Sequence, residues 1–142
     1  MSCVFCQILA NDAPASVVLE SSLVVAFLDT RPANAGHTLV VPRRHAESFT
    51  ELTSAEVAEV ALCGQRVAAA LKRGAVPCDG ITFSLADGAA AGQDVPHAHL
   101  HVIPRRIADG LGWRAGGRRA ERHALDAVAG QIRDALESHD AG

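Results

Sequence analysis

Three histidines at every second position constrain this chain more than any other feature. His97, His99 and His101 lie in the run DVPHAHLHVIP of residues 94–104, with apolar residues between and after them. Alternation of this kind predicts a half-buried β-strand, whose side chains point to opposite faces in turn. We therefore predict a strand over residues 97–103 with three imidazoles on one face. Because buried ring nitrogens need polar partners, this arrangement indicates chemistry rather than packing.

The residues alone allow three interpretations of these histidines. The first is a histidine-rich strand without a functional role, and the second is a zinc site with all three histidines as ligands. The third is nucleophilic catalysis, in which a neutral imidazole attacks phosphorus. Neighbouring imidazoles then orient the nucleophile and donate a proton to the leaving group. All three interpretations are open at this point.

Composition limits the partners that we expect. The chain has 142 residues, 49% of them hydrophobic and 20% charged, with a formal net charge of −3. This balance is typical of one globular domain over residues 1–142. A slightly acidic chain that is locally basic only at 42–45 and 114–122 argues against nucleic acid as a partner, while small phosphorylated ligands fit. We see no membrane span or signal peptide, and so expect no membrane partner and a cytoplasmic location.

Apolar periodicity predicts an α+β protein built on an antiparallel sheet. Strands are predicted at residues 17–20, 23–29, 37–42, 80–85 and 97–103. A main helix is predicted over 54–73, because Thr53 and Glu56 have capping-box spacing and Gly74 provides a stop. One face of this helix collects Val57, Val60, Ala61, Val67, Ala68 and Leu71. A final amphipathic helix is indicated by Leu125, Val128, Ala129, Ile132 and Leu136.

The four cysteines do not form a dense disulfide framework. Cys63 and Cys78 fall in a helical pattern and a loop, where they are most simply small apolar fillers. Cys3 and Cys6 have the two-residue spacing of half a zinc site. A redox pair and inert thiols have the same spacing, so Cys-x-x-Cys leaves these alternatives open.

Longer motifs resemble the histidine triad (HIT) family. The run GQDVPHAHLHVIPR at 92–105 contains the family signature His-φ-His-φ-His-φ-φ. The runs AFLD at 26–29 and GHTLVVPRRH at 36–45 resemble the family's nucleoside-binding hairpin and next strand, and CVFCQI at 3–8 is similar to the opening of bacterial members. The resemblance covers most of a core at 3–105, followed by a C-terminal segment at 106–142. It implies a HIT-like α+β fold with a five-stranded antiparallel sheet, a long central helix and a C-terminal helix.

This resemblance also implies an activity and roles for individual residues. The activity is hydrolysis of nucleoside phosphoramidates or dinucleoside polyphosphates, in which His99 forms a nucleotidyl-histidine and water then releases a nucleoside monophosphate. His101 contacts the phosphate and the leaving group, His97 supports the nucleophile, and His37 has a weaker supporting role. Gln93 helps to hold phosphate oxygens. The alternatives are a nucleotidyl transferase or phosphorylase, and a nucleotide-binding partner module with little turnover.

The implied substrate is a small molecule of the purine nucleotide type. Asp29 matches the family's ribose-binding acid, whose carboxylate accepts hydrogen bonds from both sugar hydroxyls. The positions that match the base pocket are Phe5, Ile8, Phe27 and Thr30. The partner implied besides the substrate is a second copy of the chain, in a homodimer whose two sheets join into one larger sheet.

The family resemblance implies a structural zinc ion. Its ligands would be Cys3, Cys6, His45 and His97, a closed Cys2His2 set, and the chemistry itself would require no metal. Two positions depart from the family. Ala86 stands where an Asn is usual, and Asp94 stands where some relatives have Ser, so leaving-group handling is expected to differ. Trp113 and its neighbouring glycines match a region that reaches toward the partner subunit's site, although a surface tryptophan without a role is an equal alternative.

Overall fold

A computed structural model describes residues 3–111 and 118–141, with side chains described as far as residue 138. The predicted role of Trp113 therefore lies outside the described residues. The elements in chain order are α1 (Val4–Leu9), β1 (Val17–Glu20), β2 (Val24–Leu28), β3 (Thr38–Pro42), α2 (Ser54–Ala70), β4 (Gly80–Ser84), β5 (Leu100–Arg105) and α3 (Arg122–Ala141). Helix α1 was not predicted from the sequence, since six residues are too few for a helical period.

The five strands form one antiparallel sheet in the order β1-β2-β3-β5-β4. Strands β2 and β3 are buried along their whole length. Alternate residues of β2 explain this, because Val24 and Ala26 join a core shared with α2 and α3, whereas Val25 and Phe27 pack with α1. The predicted α+β fold with a five-stranded antiparallel sheet, a long α2 and a C-terminal α3 is confirmed.

Helix α2 begins as predicted and ends earlier. Thr53 Oγ1 accepts from the Glu56 backbone N–H, and the Glu56 side chain accepts from the Thr53 N–H, so the capping box is present. The α-helix ends at Ala70, and a π turn over Leu71–Ala75 contains Gly74 at φ 101°. Of the predicted buried face, Ala61 is exposed. The other positions of that face are buried or half-buried.

Helix α3 buries the face predicted for it. Leu125, Ala129, Ile132 and Leu136 are buried in the core shared with α2 and the sheet, and Val128 packs against it. None of the described helices combines the length and the apolar character that a membrane crossing requires.

A glycine fixes the approach to β3. Gly36 has φ +97°, which side chains rarely adopt. A Cβ atom there would lie 2.9 Å from Leu71 Cδ2 and 3.1 Å from Val76 Cγ2. The backbone therefore passes directly over the core at this residue, and the next residue, His37, is 1% exposed.

The strand prediction for the first two histidines of the triad is wrong. Strand β5 begins at Leu100, so residues 97–99 precede it in irregular backbone. The Ala98 N–H donates to the Ala46 carbonyl (2.8 Å) instead of a neighbouring strand. The period-two argument therefore does not apply to His97, and contacts outside the sheet determine its orientation.

Candidate active site and metal centre

A cavity of about 670 Å³ lies at one end of β2 and β3, beside the start of β5. It brings together most of the residues predicted for the nucleotide site: Phe5, Ile8, Phe27, Asp29, Thr30, His37, His99 and His101. Arg119 and Arg122 also line the cavity. The sequence signal for these two was the locally basic segment 114–122, which the sequence reasoning did not connect with the site.

Hydrogen bonding defines the tautomer of His99, the central histidine of the triad. Its Nδ1–H donates to the His97 carbonyl at 2.8 Å, because a carbonyl can only accept. In the neutral ring the lone pair is then on Nε2, the atom that a nucleophile needs. The ring is 3% exposed, and the Phe5 ring packs against it edge to face with centroids 5.1 Å apart. His99 is thus held in one orientation, with Nε2 as the ring atom that is left to act as a base.

A series of hydrogen bonds from Ala33 through His37 to His101 defines the tautomers of the two histidines. The Ala33 N–H donates to His37 Nδ1 (3.0 Å), so neutral His37 carries its proton on Nε2. That proton is donated to His101 Nδ1 (2.9 Å), which leaves His101 with an N–H at Nε2. Burial lowers the pKa of His37 to about 3 and that of His101 to about 4. Both rings are therefore neutral near pH 7.

Asp29 lines the cavity beside these hydrogen-bonded histidines. Its Oδ1 accepts from the Arg31 N–H (2.8 Å), and its Oδ2 is 3.6 Å from His37 Nε2. Burial raises the pKa of the Asp29 carboxyl, an effect that the Arg31 N–H offsets in part. Asp29, His37 and His101 are close enough to share a metal ion. Because His37 Nε2 carries a proton that His101 accepts, this group is better suited to hydrogen bonding than to metal binding.

The loop before the triad contains Gln93 and Asp94, which the structure places differently. Gln93 is not among the cavity-lining residues: its amide donates to the Glu47 and Val95 carbonyls and accepts from the Gly88 N–H. Asp94 lines the cavity, with Oδ1 3.6 Å from His99 Nε2. The sequence identified Asp94 as a departure from the family but not as a site residue.

Four predicted metal ligands lie together on the other side of the His97 backbone. The ligand atoms of Cys3, Cys6, His45 and His97 all lie within 4.8 Å of one another. The two Nδ1 atoms are 3.2 Å apart, and the sulfur to nitrogen distances are 3.3, 3.5 and 3.7 Å. A tetrahedral zinc ion with bonds of about 2.0 Å to nitrogen and about 2.3 Å to sulfur separates two nitrogens by about 3.3 Å and a nitrogen from a sulfur by about 3.5 Å. These donors therefore have the spacing of a tetrahedral site.

The protonation of His97 also suits a metal ligand. Its Nε2–H donates to the Pro42 carbonyl (2.8 Å), which leaves the Nδ1 lone pair directed at the two cysteines. A backbone carbonyl of this kind is the usual outer partner of a metal-bound histidine. Burial lowers the pKa of His97, so its ring is neutral as a ligand must be. The four residues form a candidate Cys2His2 metal centre.

The buried neutral histidines predict a loss of stability in acid. The unfolded chain takes up protons on His37 and His101 below their ordinary pKa of 6.5, whereas the folded chain does so only near 3 and 4. The free energy of unfolding should therefore fall as pH drops from about 6.5 toward 4, by up to about 1.4 kcal/mol per pH unit for each histidine. Urea unfolding across this range measures the slope. His37→Asn should lower this slope by up to about 1.4 kcal/mol per pH unit, which corresponds to one proton. His123→Asn, which replaces an exposed ring on α3, should leave the slope unchanged. Equal slopes for His37→Asn and the wild type would contradict the prediction.

Comparisons with known proteins agree with the geometry. The HIT-domain family profile matches residues 10–108. A HIT-like protein from Mycobacterium tuberculosis is 39% identical over 141 residues, which cover 99% of this chain and 97% of that protein. A zinc-bound histidine triad family protein from Mycobacterium smegmatis superposes with a TM-score of 0.88 at 40% identity, covering 99% of this chain and 97% of that one. An adenylylsulfatase from Arabidopsis thaliana is 31% identical over 137 residues, which are 96% of this chain and 68% of that protein. This chain belongs to the HIT-domain family.

Proposed function

We propose that this chain is a nucleotide hydrolase that works through a covalent nucleotidyl-histidine. Its substrates would be nucleoside phosphoramidates or dinucleoside polyphosphates. The proposal rests on the placement of the His99 ring. Its Nδ1–H donates to the His97 carbonyl, and His99 lines the cavity, so Nε2 is the ring nitrogen left for a substrate. Nucleophilic attack on phosphorus requires an imidazole that is oriented with an available ring nitrogen beside a cavity of nucleotide size.

The proposed reaction has two steps. In the first, the Nε2 lone pair of His99 forms a bond to the α-phosphorus, and the bond from phosphorus to the leaving group breaks. In the second, a water oxygen bonds to the same phosphorus, the Nε2–P bond breaks, and a nucleoside monophosphate leaves. The Nε2–H of His101 would donate a hydrogen bond to phosphoryl oxygen or leaving group, as preorganised donors do in such reactions.

The nucleoside would occupy the end of the cavity that contains Asp29. A partly buried carboxylate there can accept hydrogen bonds from two ribose hydroxyls. Phe5, Ile8, Phe27 and Thr30 provide the largely apolar wall for a purine base. Gln93 stays a predicted phosphate contact, and reaching a phosphate would require its amide to leave the backbone groups of Glu47, Val95 and Gly88.

The proposed role of His99 as nucleophile can be tested by replacing it with alanine. His99→Ala should lower kcat/KM for a nucleoside phosphoramidate at least about a thousand-fold, because no other histidine ring among the described side chains presents a free lone pair to the same phosphorus. A rapidly quenched wild-type reaction should yield a nucleotidyl adduct on the peptide that contains residues 97–105, detected by mass spectrometry. His123→Ala is the matched control, since that ring is exposed on α3. Full turnover by His99→Ala, or an adduct on another residue, would refute the mechanism.

We further propose that the Cys2His2 centre holds one structural zinc ion and that the protein works in the cytoplasm, where thiolates persist in reduced form. The ligand spacing and the Pro42 partner of His97 support zinc. A zinc ion at these four residues would attach the short α1 to the loop that precedes β5. The contribution of zinc would be structural. Zinc would bind the His97 ring, whereas the proposed reaction uses only the His97 backbone carbonyl, which orients His99.

Metal analysis tests this centre. The purified protein should contain about one zinc ion per chain, and Cys6→Ser should bind zinc at least about tenfold more weakly and unfold at a lower temperature. Cys78→Ser is the control, because it changes a thiol outside the cluster. The readouts are zinc content by elemental analysis and thermal unfolding with and without a chelator. Wild-type zinc content near zero after expression in zinc-supplemented medium would exclude the proposed ion.

We also propose that two chains pair through β4. Strand β4 has only β5 as a neighbour in the described sheet, so its outer edge is free to pair. Phe83 on β4 is 52% exposed and Leu62 on α2 is 53% exposed, and the Phe83 ring approaches α2 at Gly64. An unpaired edge with exposed apolar residues beside it fits a second copy of the same edge, which would join two sheets into one of ten strands.

Sedimentation equilibrium tests this pairing. The wild type should sediment as a dimer, and Phe83→Lys should shift it toward the monomer by placing a charge at the joined edge. Ile107→Lys is the matched control, because Ile107 is 87% exposed and lies outside β4. A wild-type monomer at micromolar concentration, or a Phe83→Lys variant that dimerises as well as the wild type, would contradict the pairing.

A further inference from the structure

Asp94 is the charged group that faces the attacking atom. Its Oδ1 lies 3.6 Å from His99 Nε2, and its side chain is 79% exposed at the mouth of the cavity. Burial lowers the pKa of His101, and the charge of Asp94 opposes this in part; the same charge adds to the rise in the pKa of Asp29 that burial causes. In a reactive complex phosphorus lies about 3 Å from the nucleophile, so a carboxylate at this place faces the atoms bonded to that phosphorus.

In the form of His99 that attacks phosphorus, the two facing groups are both acceptors. Nε2 must then have its lone pair free, with the proton on Nδ1, and an ionised carboxylate has no hydrogen to donate. In this form the two atoms cannot hydrogen-bond to each other. A substrate group between them is favoured if it brings N–H donors or positive charge, and disfavoured if it brings further negative charge.

The histidines beside them are poorly suited to supply a proton to a leaving group. In the chain from Ala33 through His37 to His101, each neutral ring holds one proton. Loss of the Nε2 proton would leave His101 as an imidazolate unless His37 replaced it, and His37 would then be anionic. His37 can regain a proton at Nδ1 only by losing its bond from the Ala33 N–H. A leaving atom that arrives with its own proton avoids this difficulty.

We propose that Asp94 selects substrates whose leaving nitrogen is already protonated while it is bonded to phosphorus, and disfavours anionic leaving groups. The inference rests on the proposed function and names the leaving-group class within it. In the favoured substrate the nitrogen on phosphorus carries two hydrogens and one carbon substituent, and the carboxylate of Asp94 stabilises its positive charge. When Nε2 bonds to phosphorus, the electron pair of the P–N bond goes to that nitrogen, which leaves as a neutral amine. Nucleoside polyphosphates and acyl-type anhydrides such as adenylyl sulfate release an anion next to Asp94 and are disfavoured.

A series of substrates with the same reacting bond and different leaving-group charges tests the role of Asp94. Three nucleoside 5′-phosphoramidates would share the same P–N bond and a linear alkyl leaving amine, with an ammonium, a hydroxyl or a carboxylate at its far end. The wild type should rank them ammonium, hydroxyl, carboxylate, with about tenfold in kcat/KM between neighbours at low salt. This ranking should shrink at high ionic strength, because Asp94 is exposed and its field is screened.

Asp94→Asn should reduce the ranking to within about twofold while retaining the shape of the side chain. It should also raise kcat/KM for a dinucleoside polyphosphate by about tenfold relative to the wild type. Asp134→Asn is the control, because it removes the same charge from an exposed position on α3 and should keep the wild-type ranking. A residue needed only for loop structure would change all three substrates by the same factor.

The outcomes distinguish this inference from the proposed function. If the wild type turns over the series without ranking it by charge, or if Asp94→Asn keeps the ranking, the role of Asp94 is refuted and the hydrolase stands. If the wild type turns over none of the phosphoramidates and no polyphosphate, and no adduct forms on His99, the proposed function itself fails.

Discussion

The site depends on three of the four polar groups of one residue, His97; the fourth, its N–H, donates to the Val95 carbonyl. Its Nδ1 is directed at the two cysteines, its Nε2–H donates to the Pro42 carbonyl, and its own carbonyl accepts from His99 Nδ1–H. The first two bonds determine the orientation of the ring, and the third determines the tautomer of His99. A buried histidine with all its polar groups engaged can be displaced only at the cost of an unpaired group. The candidate nucleophile and the candidate metal centre therefore share a single rigid residue.

Burial explains why these rings are neutral and oriented at the same pH. Removing an imidazole from water disfavours its charged form, and the pKa values of His37, His97 and His101 are all lowered for that reason. Each neutral ring then has one donor and one acceptor nitrogen, and backbone groups at Ala33 and Pro42 decide which is which. The direction of the hydrogen bonds through these rings is thus established by backbone atoms rather than by additional charged side chains.

The sequence predicted the elements well and the connections between them less well. β-Branched apolar runs located the strands of the described sheet, and helical periodicity located both long helices, because each helix buries a regular face. Alternation did not distinguish strand β5 from the irregular residues 97–99 before it, since an extended loop can have the same pattern. The Ala98 bond to Ala46 that holds this loop is a contact between distant backbone atoms, and it leaves no trace in residue type. Backbone partners of His37 and His97 were missed for the same reason. Of the residues identified through motifs, Asp29 lines the cavity and His45 lies in the cluster with Cys3, Cys6 and His97.

Helix α1 lies between the candidate metal centre and the cavity, and has residues in both. Six residues are too few for a helix to be stable alone, since isolated helices shorter than about 12 residues are marginal in water. Tertiary contacts must therefore hold it: Phe5 packs against Phe27 at 5.4 Å and against His99 at 5.1 Å, while Cys3 and Cys6 face His97. An ion at the cysteines would order the same helix that forms one wall of the cavity. Linkage then requires reciprocity, so a nucleotide that packs on α1 would strengthen metal binding by the factor by which the metal strengthens nucleotide binding.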